Sequence, residues 1–492
     1  MRTSIDDSVE ATAIAIPEDR LALNVRAHPW ATSGCLLLSD IVALLVSRSL
    51  GYMAWSWVNP TVSEDNLFHF WPSLVLYLMV YAVLGLYSPA GLSPVDELRR
   101  AVQGTGFVVL TLAAASFLYR DSDGYSRGVL VVSSLLMAVL IPWGRGFLRD
   151  EFSSKAWWGV PVLLLGTGKT AETIVENLAA HPEIGLKPVA CLGNDAAENR
   201  ECGGLAVLGP LDMAASIAQS TRIRHVLIAM PGLERQELVG LTEKLSEHFR
   251  HLILIPNLFG LASLWVTGLD LGGILGLEVR QNLLVPANWW IKRSMDLAMT
   301  LIIGLFSIPI LLVAALWIKL VSPGASPFYR QAREGEGRRE VRVWKLRTMY
   351  PDADQLLDRY LAENADAREE WLRFFKLRKD PRILPGIGHL LRRTSLDELP
   401  QLLNIIKGEM TLVGPRPFPR YHLNLFAPRF REFRAQVTPG LTGLWQVSAR
   451  SEGDLKVQQS LDTYYIRNWS IWLDLYILAR TVRAVLLSKG AY

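Results

Sequence analysis

Along the first third of the chain, apolar residues come in long unbroken runs, at 34–58, 69–88, 103–119 and 127–147. Each run approaches the roughly 20 residues that cross a bilayer as a helix, so the pattern predicts four transmembrane helices. The first contains Asp40 and Arg48; such charges are costly in lipid and are expected to face other helices or an interface. From 158 to 265 the pattern changes to short apolar runs alternating with amphipathic stretches. Val160–Leu165, Pro188–Leu192, His225–Ala229 and Leu252–Ile255 read as buried strands, and Thr170–Ala180, Leu211–Ser220 and Leu233–Phe249 as helices. Repeated βα units of this kind predict a Rossmann-like parallel sheet with helices on both faces.

A fifth apolar run, Leu297–Leu320, is long enough to cross a membrane. Two features argue against a simple crossing. Positive charge flanks both ends, with Lys292 and Arg293 before and Lys319, Arg330 and Arg333 after, so the run has no sidedness. Pro309 lies at its centre, where it removes a backbone hydrogen bond, and Ser307 stands close enough to satisfy a freed carbonyl. The run therefore predicts a proline-broken re-entrant helix over 294–320. The expected division is a cytosolic tail at 1–29, a four-helix transmembrane bundle over 30–150, an α/β domain over 151–285, and a mostly α catalytic domain over 286–492. The closing stretch, 470–488, has the striping of an amphipathic helix.

Composition supports this division. Half of the 492 residues are hydrophobic and mean hydropathy is positive, which indicates a membrane fraction. A net charge of +4 implies no bulk polyanion partner, and nucleic acid binding fits poorly beside embedded helices. The three cysteines, Cys35, Cys191 and Cys202, lack paired or metal-like spacing, which fits a reducing compartment. Residues 1–29 contain no apolar run of the kind found in a signal peptide. Arg2, Arg20 and Arg26, then Arg99 and Arg100, then Arg145, Arg149 and Lys155 alternate with a loop holding only Glu64 and Asp65. The positive-inside rule then puts the amino terminus and everything beyond 150 in the cytosol.

Candidate chemistry concentrates late in the chain. Asp397 and Glu398 are adjacent, preceded by Arg392-Arg393 and followed by Gly414-Pro415-Arg416-Pro417. Acid beside base at this spacing suits phosphate chemistry at a metal, with a carboxylate as nucleophile or ligand and a guanidinium opposite. The plainer alternative is an acidic pair offsetting a helix dipole. Arg416, between two prolines, reads as a phosphate clamp or a surface ion pair. Lys345, Arg347 and Arg393 read as further phosphate binders or as partners of anionic lipid headgroups. Between Arg416 and Arg434, five arginines interleaved with Phe418, Tyr421, Phe426, Phe430 and Phe433 read as a membrane-surface segment. Asp462, Arg467 and Asp474 are charged candidates for a sugar pocket. In the α/β region Gly166-Thr167-Gly168-Lys169-Thr170-Ala171 forms a G-x-G-x-x-A turn. It reads either as a dinucleotide phosphate site, with Asp195 somewhat beyond the expected ribose-binding position, or as a tight turn needing glycine.

The ordered set Lys292-Arg293-x-x-Asp296, KLRTM at 345–349, SLDELPQLLNIIKGEMTLVGPRP from Ser395 and PGLTGLWQV from Pro439 resembles the bacterial sugar transferases. These are monotopic polyprenyl-phosphate phosphoglycosyl transferases. The likeness covers roughly 290–492, and the preceding architecture resembles the large undecaprenyl-phosphate galactose phosphotransferases. Two departures are Ser307-Ile308-Pro309 in place of adjacent Ser-Pro, and Leu346 in place of Phe. The resemblance implies transfer of a hexose 1-phosphate from a UDP-sugar to undecaprenyl phosphate with release of UMP. It further implies Asp397 as nucleophile through a phospho-aspartyl intermediate, Glu398 as its partner, and Mg2+ at Asp397 with Glu398 able to share it. An N-acetylhexosamine donor, or a membrane-anchored dinucleotide-binding scaffold, is the alternative. Membrane lipid is an expected partner. A homodimer is expected through the α/β domain, whose sequence shows no catalytic site.

Overall fold

The computed structural model describes residues 26–62, 71–118, 126–194, 201–221, 223–255, 266–270, 272, 275–279, 282–374, 377, 380–448 and 455–486. Arg2, Arg20, Glu64, Asp65 and Asp195 lie outside them. Two compact units divide the chain, Met1–Leu258 and Phe259–Tyr492.

The first unit opens with α1 (Pro29–Val58), α2 (Trp71–Val83), α3 (Pro94–Leu118) and α4 (Arg127–Phe152). They enclose an apolar core that includes Leu44, Tyr77, Tyr81, Val108, Met137 and Ile141. The expectation of four crossings is modified. In this unit α1 and α4 are long and apolar enough to cross a membrane, whereas α2 spans 13 described residues. The first turns of α3 carry Asp96, Glu97, Arg99 and Arg100, leaving only its second half apolar. Asp40 and Arg48 are both buried. Arg145 of α4 grips Asp40 through Nε (2.8 Å) and Nη2 (2.5 Å) and reaches Glu97 at 2.7 Å, and Arg149 holds the other Glu97 oxygen at 2.7 Å. Buried charges persist when paired and hydrogen-bonded in this way.

The α/β region follows: β1 (Val160–Leu165), α5 (Lys169–Ala180), β2 (Leu186–Leu192), β3 (Glu201–Cys202), β4 (Leu205–Gly209), α6 (Met213–Ser220), β5 (His225–Ile228), α7 (Arg235–Ser246) and β6 (His251–Leu254). The sheet order is β3-β4-β2-β1-β5-β6. It is parallel throughout except for β3, which pairs antiparallel with β4. Every residue of β1 is buried, as its position at the centre of a two-sided sheet requires. β3 and β4 were missed because they are short and are joined through Gly203 and Gly204. At the β1–α5 turn Gly166 has φ +121°, and a Cβ there would lie 2.7 Å from the Ala229 carbonyl oxygen. Backbone geometry alone therefore demands this glycine.

In the second unit a hairpin of β7 (Val266–Asp270) and β8 (Leu275–Val279) precedes α8 (Pro286–Val321). α8 is a 36-residue helix that is long and apolar enough to cross a membrane. Helix assignment continues through Pro309. Ser307 Oγ donates to the Ile303 carbonyl at 2.7 Å, not to that of Leu305, which loses its i+4 donor at the proline. The remainder is less helical than expected. β9 (Phe328–Glu334) and β10 (Glu340–Leu346) form an antiparallel hairpin. Two helices follow, α9 (Ala353–Glu363) and α10 (Ala365–Phe374), separated at Asn364. Then come α11 (Ile387–Thr394), a 3-10 segment (Leu396–Gln401), α12 (Leu402–Ile406), β11 (Thr411–Val413), α13 (Arg420–Leu423), α14 (Pro428–Arg434), β12 (Gly440–Thr442), α15 (Leu444–Ser448), α16 (Leu455–Arg467) and α17 (Ile471–Leu486).

Candidate active site

The carboxylate pair sits where α11 gives way to the 3-10 segment. Ser395 adopts the left-handed conformation, φ +57°, which few residues other than glycine accept. This turn puts Asp397 and Glu398 in the first turn of the 3-10 segment. They face the hairpin, whose register sets Lys345 opposite Tyr329. The hairpin's position comes from a residue the motif reading passed over. Asn404, fully buried, accepts from Trp344 N (3.0 Å) and donates to the Arg342 carbonyl (2.9 Å) and to Glu409 (2.6 Å). It thereby pins the backbone beside Lys345. Its signal in the sequence is an amide inside the apolar run Leu402-Leu403-Asn404-Ile405-Ile406, where an unpaired polar group would be costly.

The two carboxylates are held unequally. Glu398 Oε1 receives Lys345 Nζ at 2.8 Å and Arg416 Nη2 at 2.8 Å. Asp397 Oδ2 lies 3.6 Å from the same ammonium. Burial pushes the Asp397 carboxyl above its usual range against the pull of Lys345, and the Glu398 charge adds to the rise. Burial acts on Glu398 in the same direction but is overcome by Arg416 and Lys345, which hold it down to about 2. At neutral pH Glu398 is therefore a fixed anion, and Asp397 is the more basic member of the pair.

Arg416 is presented by a backbone-on-backbone contact between two sequence motifs. Gly414 N donates to Thr442 O at 2.8 Å, and Gly440 N to Pro415 O at 2.9 Å. A Cβ on Gly440 would fall 2.1 Å from Gly414 N, which explains the glycine of Pro439-Gly440-Leu441-Thr442-Gly443. Beneath β11 lies a buried polar group. Lys292 Nζ donates to Val413 O (3.0 Å) and Asp474 Oδ2 (2.7 Å), and the single hydroxyl proton of Tyr465 is shared between Val413 O (2.7 Å) and Asp474 Oδ1 (2.8 Å). Asp296 accepts from Thr411 Oγ1 and, at 3.4 Å, from Leu412 N. Arg434, bonded to Asp462 at 2.9 Å, also donates to the Arg416 carbonyl.

The other expected site residues separate here. Arg347 directs Nε to the Ser326 carbonyl at 2.7 Å and lies over the Tyr329 ring. Arg393 is exposed; its neighbour Arg392 is the one whose charge acts on Asp397. Asp462 and Asp474 are buried in ion pairs instead of facing a pocket. Phe418, Phe426 and Phe430 form a buried cluster with Leu423, which corrects their reading as a membrane face; Tyr421 is 64% exposed. Among the described residues no group of three or more His, Cys, Asp and Glu side chains converges on a metal site. An adjacent carboxylate pair nevertheless fits Mg2+, which needs only one or two protein carboxylates when phosphate oxygens and water complete its shell.

Fold and site together define a membrane-associated enzyme with an acid–base cluster suited to phosphate transfer. Residues 287–488 match the family described as bacterial sugar transferase, and 82–256 match a CoA-binding domain family. The chain is 33% identical over 377 residues to a UDP-galactose-lipid carrier transferase of Erwinia amylovora, covering 75% of this chain and 76% of the relative. It is 30% identical over 390 residues to an undecaprenyl-phosphate galactose phosphotransferase of Salmonella typhimurium, covering 78% and 80%. It is 29% identical over 436 residues to a UDP-glucose:undecaprenyl-phosphate glucose-1-phosphate transferase of Escherichia coli, covering 85% and 88%. The chain belongs to the bacterial sugar transferase family.

Proposed function

We propose that the enzyme transfers a hexose 1-phosphate, galactose or glucose, from a UDP-sugar to undecaprenyl phosphate and releases UMP. This would be the first step in building an O-antigen, capsule or exopolysaccharide. The relatives' names support the donor class and the acceptor. The unequal clamping of the dyad carries the assignment of roles. Glu398 has two cations on one oxygen and serves as the electrostatic anchor for Lys345 and Arg416. Asp397, more basic and less engaged, is the nucleophile. Its carboxylate oxygen bonds to the sugar-bearing phosphorus while the bond to the bridging oxygen breaks, and that electron pair leaves on UMP. An oxygen of the lipid phosphate then attacks the phospho-aspartate and restores the carboxylate. Asp397, with Glu398 able to share, is the donor set for Mg2+, which when bound neutralises diphosphate charge.

The contacts of α8 support a topology for the anchor. Near its start Lys292 bonds to Val413 and Asp474, and Arg293 to the Ile405 and Ile406 carbonyls. Near its end Ala314 and Ile318 pack on Leu346, Leu384, Ile387 and Leu391. Both ends thus dock on one lobe, while Leu301, Leu305, Phe306 and Leu312 between them are exposed. A straight helix would put Lys292 and Ile318 roughly 39 Å apart at ~1.5 Å per residue, further than a ~30 Å hydrocarbon core. This geometry supports an anchor that dips into the inner membrane and returns, keeping the site on the cytosolic face. The reaction is tested with β-32P-labelled UDP-hexose and purified protein in detergent. Wild type should acquire label without acceptor and pass it to undecaprenyl phosphate, and Asp397→Asn should do neither. Substantial UMP release by Asp397→Asn would remove the nucleophile assignment.

A further inference from the structure

Arg333 is a further cation near the dyad, beyond Lys345 and Arg416. Arg333, on β9, shares a hairpin face with Lys345, since cross-strand partners point the same way and Lys345 pairs with Tyr329, four residues earlier. Its end of the strand is tied to the Arg416 segment, because Glu334 N donates to the Phe418 carbonyl at 3.1 Å. The charges acting on its guanidinium include those of Arg416 and Glu398, with Tyr421 and Tyr329 beside them.

Several nearby arginines are already paired with carboxylates, and Arg392 is bonded to Thr348 Oγ1 at 3.1 Å. Arg431 is paired with Glu334, Arg434 with Asp462, Arg382 with Asp380 and Arg416 with Glu398. Among the described residues Arg333 has no carboxylate within ion-pair distance and bonds only to the neutral Gln331 Oε1, at 2.5 Å. Most of its donors are therefore available to a ligand. Burial and the adjacent Arg416 bring its guanidinium down to about 10, so an arriving anion would relieve a disfavoured positive charge. The charges of Lys345 and Arg416 act on Asp397, and that of Arg416 acts in turn on Arg333. A diphosphate whose sugar-bearing phosphorus faces Asp397 would set its other phosphate toward the Arg416–Arg333 end.

We propose that Arg333 is a substrate-binding residue that, with Arg416, holds the nucleotide-side phosphate of the donor and stays on it as UMP leaves. The assignment rests on the transfer reaction proposed above. A planar fork beside a second guanidinium suits a phosphate monoester, whose charge increases when the bridging bond breaks.

The test is UMP binding to full-length protein in detergent, by calorimetry and as inhibition of UDP-hexose turnover. Binding is also measured in Asp397→Asn, where no chemistry occurs. Arg333→Gln should weaken UMP at least tenfold in both backgrounds and raise the donor KM, with the undecaprenyl phosphate KM within twofold of wild type. A merely structural role would not separate the two substrates. If the glutamine variant does not fold, Arg333→Lys keeps the charge and loses the fork; threefold or greater weakening of UMP supports the assignment, and less overturns it. UMP affinity within twofold of wild type in Arg333→Gln removes Arg333 and leaves the reaction standing. Failure of wild type to release UMP from any UDP-hexose removes the reaction, and the inference with it.

Discussion

Lys292→Met tests whether the buried group under β11 supports the site. Lys292 is 6% exposed and Asp474 0%, so solvent screening gives little relief. The substitution removes the 2.7 Å ion pair to Asp474, a second at 3.7 Å to the buried Asp296, and a 3.0 Å bond to Val413 O. Asp474 is left with the neutral donors Tyr465 Oη and Trp469 Nε1 at 2.8 and 3.0 Å. Breaking a buried pair from one side costs about 3–5 kcal/mol, because a charge remains without its partner. For a domain of this size that corresponds to a fall in Tm of roughly 6–20 °C. Burial already raises the Asp474 carboxyl above its usual range, and loss of Lys292 raises it further. A group with a raised folded pKa stabilises fully below its unfolded value, near ~4, and that contribution is lost as pH climbs through the folded value. The deficit of Lys292→Met relative to wild type should therefore be small in acid and grow toward neutrality. Lys292→Met/Asp474→Asn removes both charges of the 2.7 Å pair and leaves Asp296 to its neutral donors Thr411 Oγ1 and Leu412 N; it should recover more than half of the loss, a coupling of about 1.5–3 kcal/mol. Thermal unfolding of the four proteins in detergent across pH measures this. A single variant within 2 °C of wild type at neutral pH, or strictly additive effects, would refute the reasoning.

Two further outcomes follow from the site and the anchor. Lys345 lowers the Asp397 pKa, so Lys345→Met should move the acid limb of the pH–rate profile for UMP release to higher pH. Glu398, held down to about 2, should contribute no limb in the working range. Pro309→Ala restores an N–H donor to the centre of α8 and should straighten it. Cysteine labelling beyond residue 321 should then report a periplasmic fraction absent from wild type, together with loss of transfer.

What the sequence made legible was whatever depends on local periodicity. β1 is an uninterrupted apolar run because both of its faces are covered, and the helices of the α/β region begin and end within a few residues of expectation. The signature glycines were also readable, since Gly414 and Gly440 bring two backbones within hydrogen-bonding distance. Side-chain direction was not. The choice between Arg392 and Arg393 depends on the left-handed turn at Ser395, and nothing in a serine announces that conformation. Arg333 was read only as flanking charge because β9 alternates no apolar face; its orientation is set by pairing with β10. Phe418, Phe426 and Phe430 look alike in sequence whether they meet lipid or one another. Only the packing of α13 and α14 assigns them to a core.

The unequal contacts of the two carboxylates support the proposed roles independently of any relative. A carboxylate whose oxygen takes a lysine and an arginine at 2.8 Å has its lone pairs engaged and its basicity suppressed. Nucleophilicity falls with basicity, so Glu398 is the poorer attacking group. Asp397 meets the same lysine only at 3.6 Å and is pushed the other way by burial. One ammonium thus serves both residues differently. It fixes Glu398 as a counter-charge that keeps Lys345 and Arg416 together when no substrate is bound. It also leaves Asp397 the sterically and electronically freer oxygen. An arriving diphosphate would compete with Glu398 for those two cations, and the negative charge of Glu398 keeps the exchange from trapping the product. Glu398→Ala should therefore bind UMP more tightly and release it more slowly, as read by calorimetry and stopped-flow dissociation.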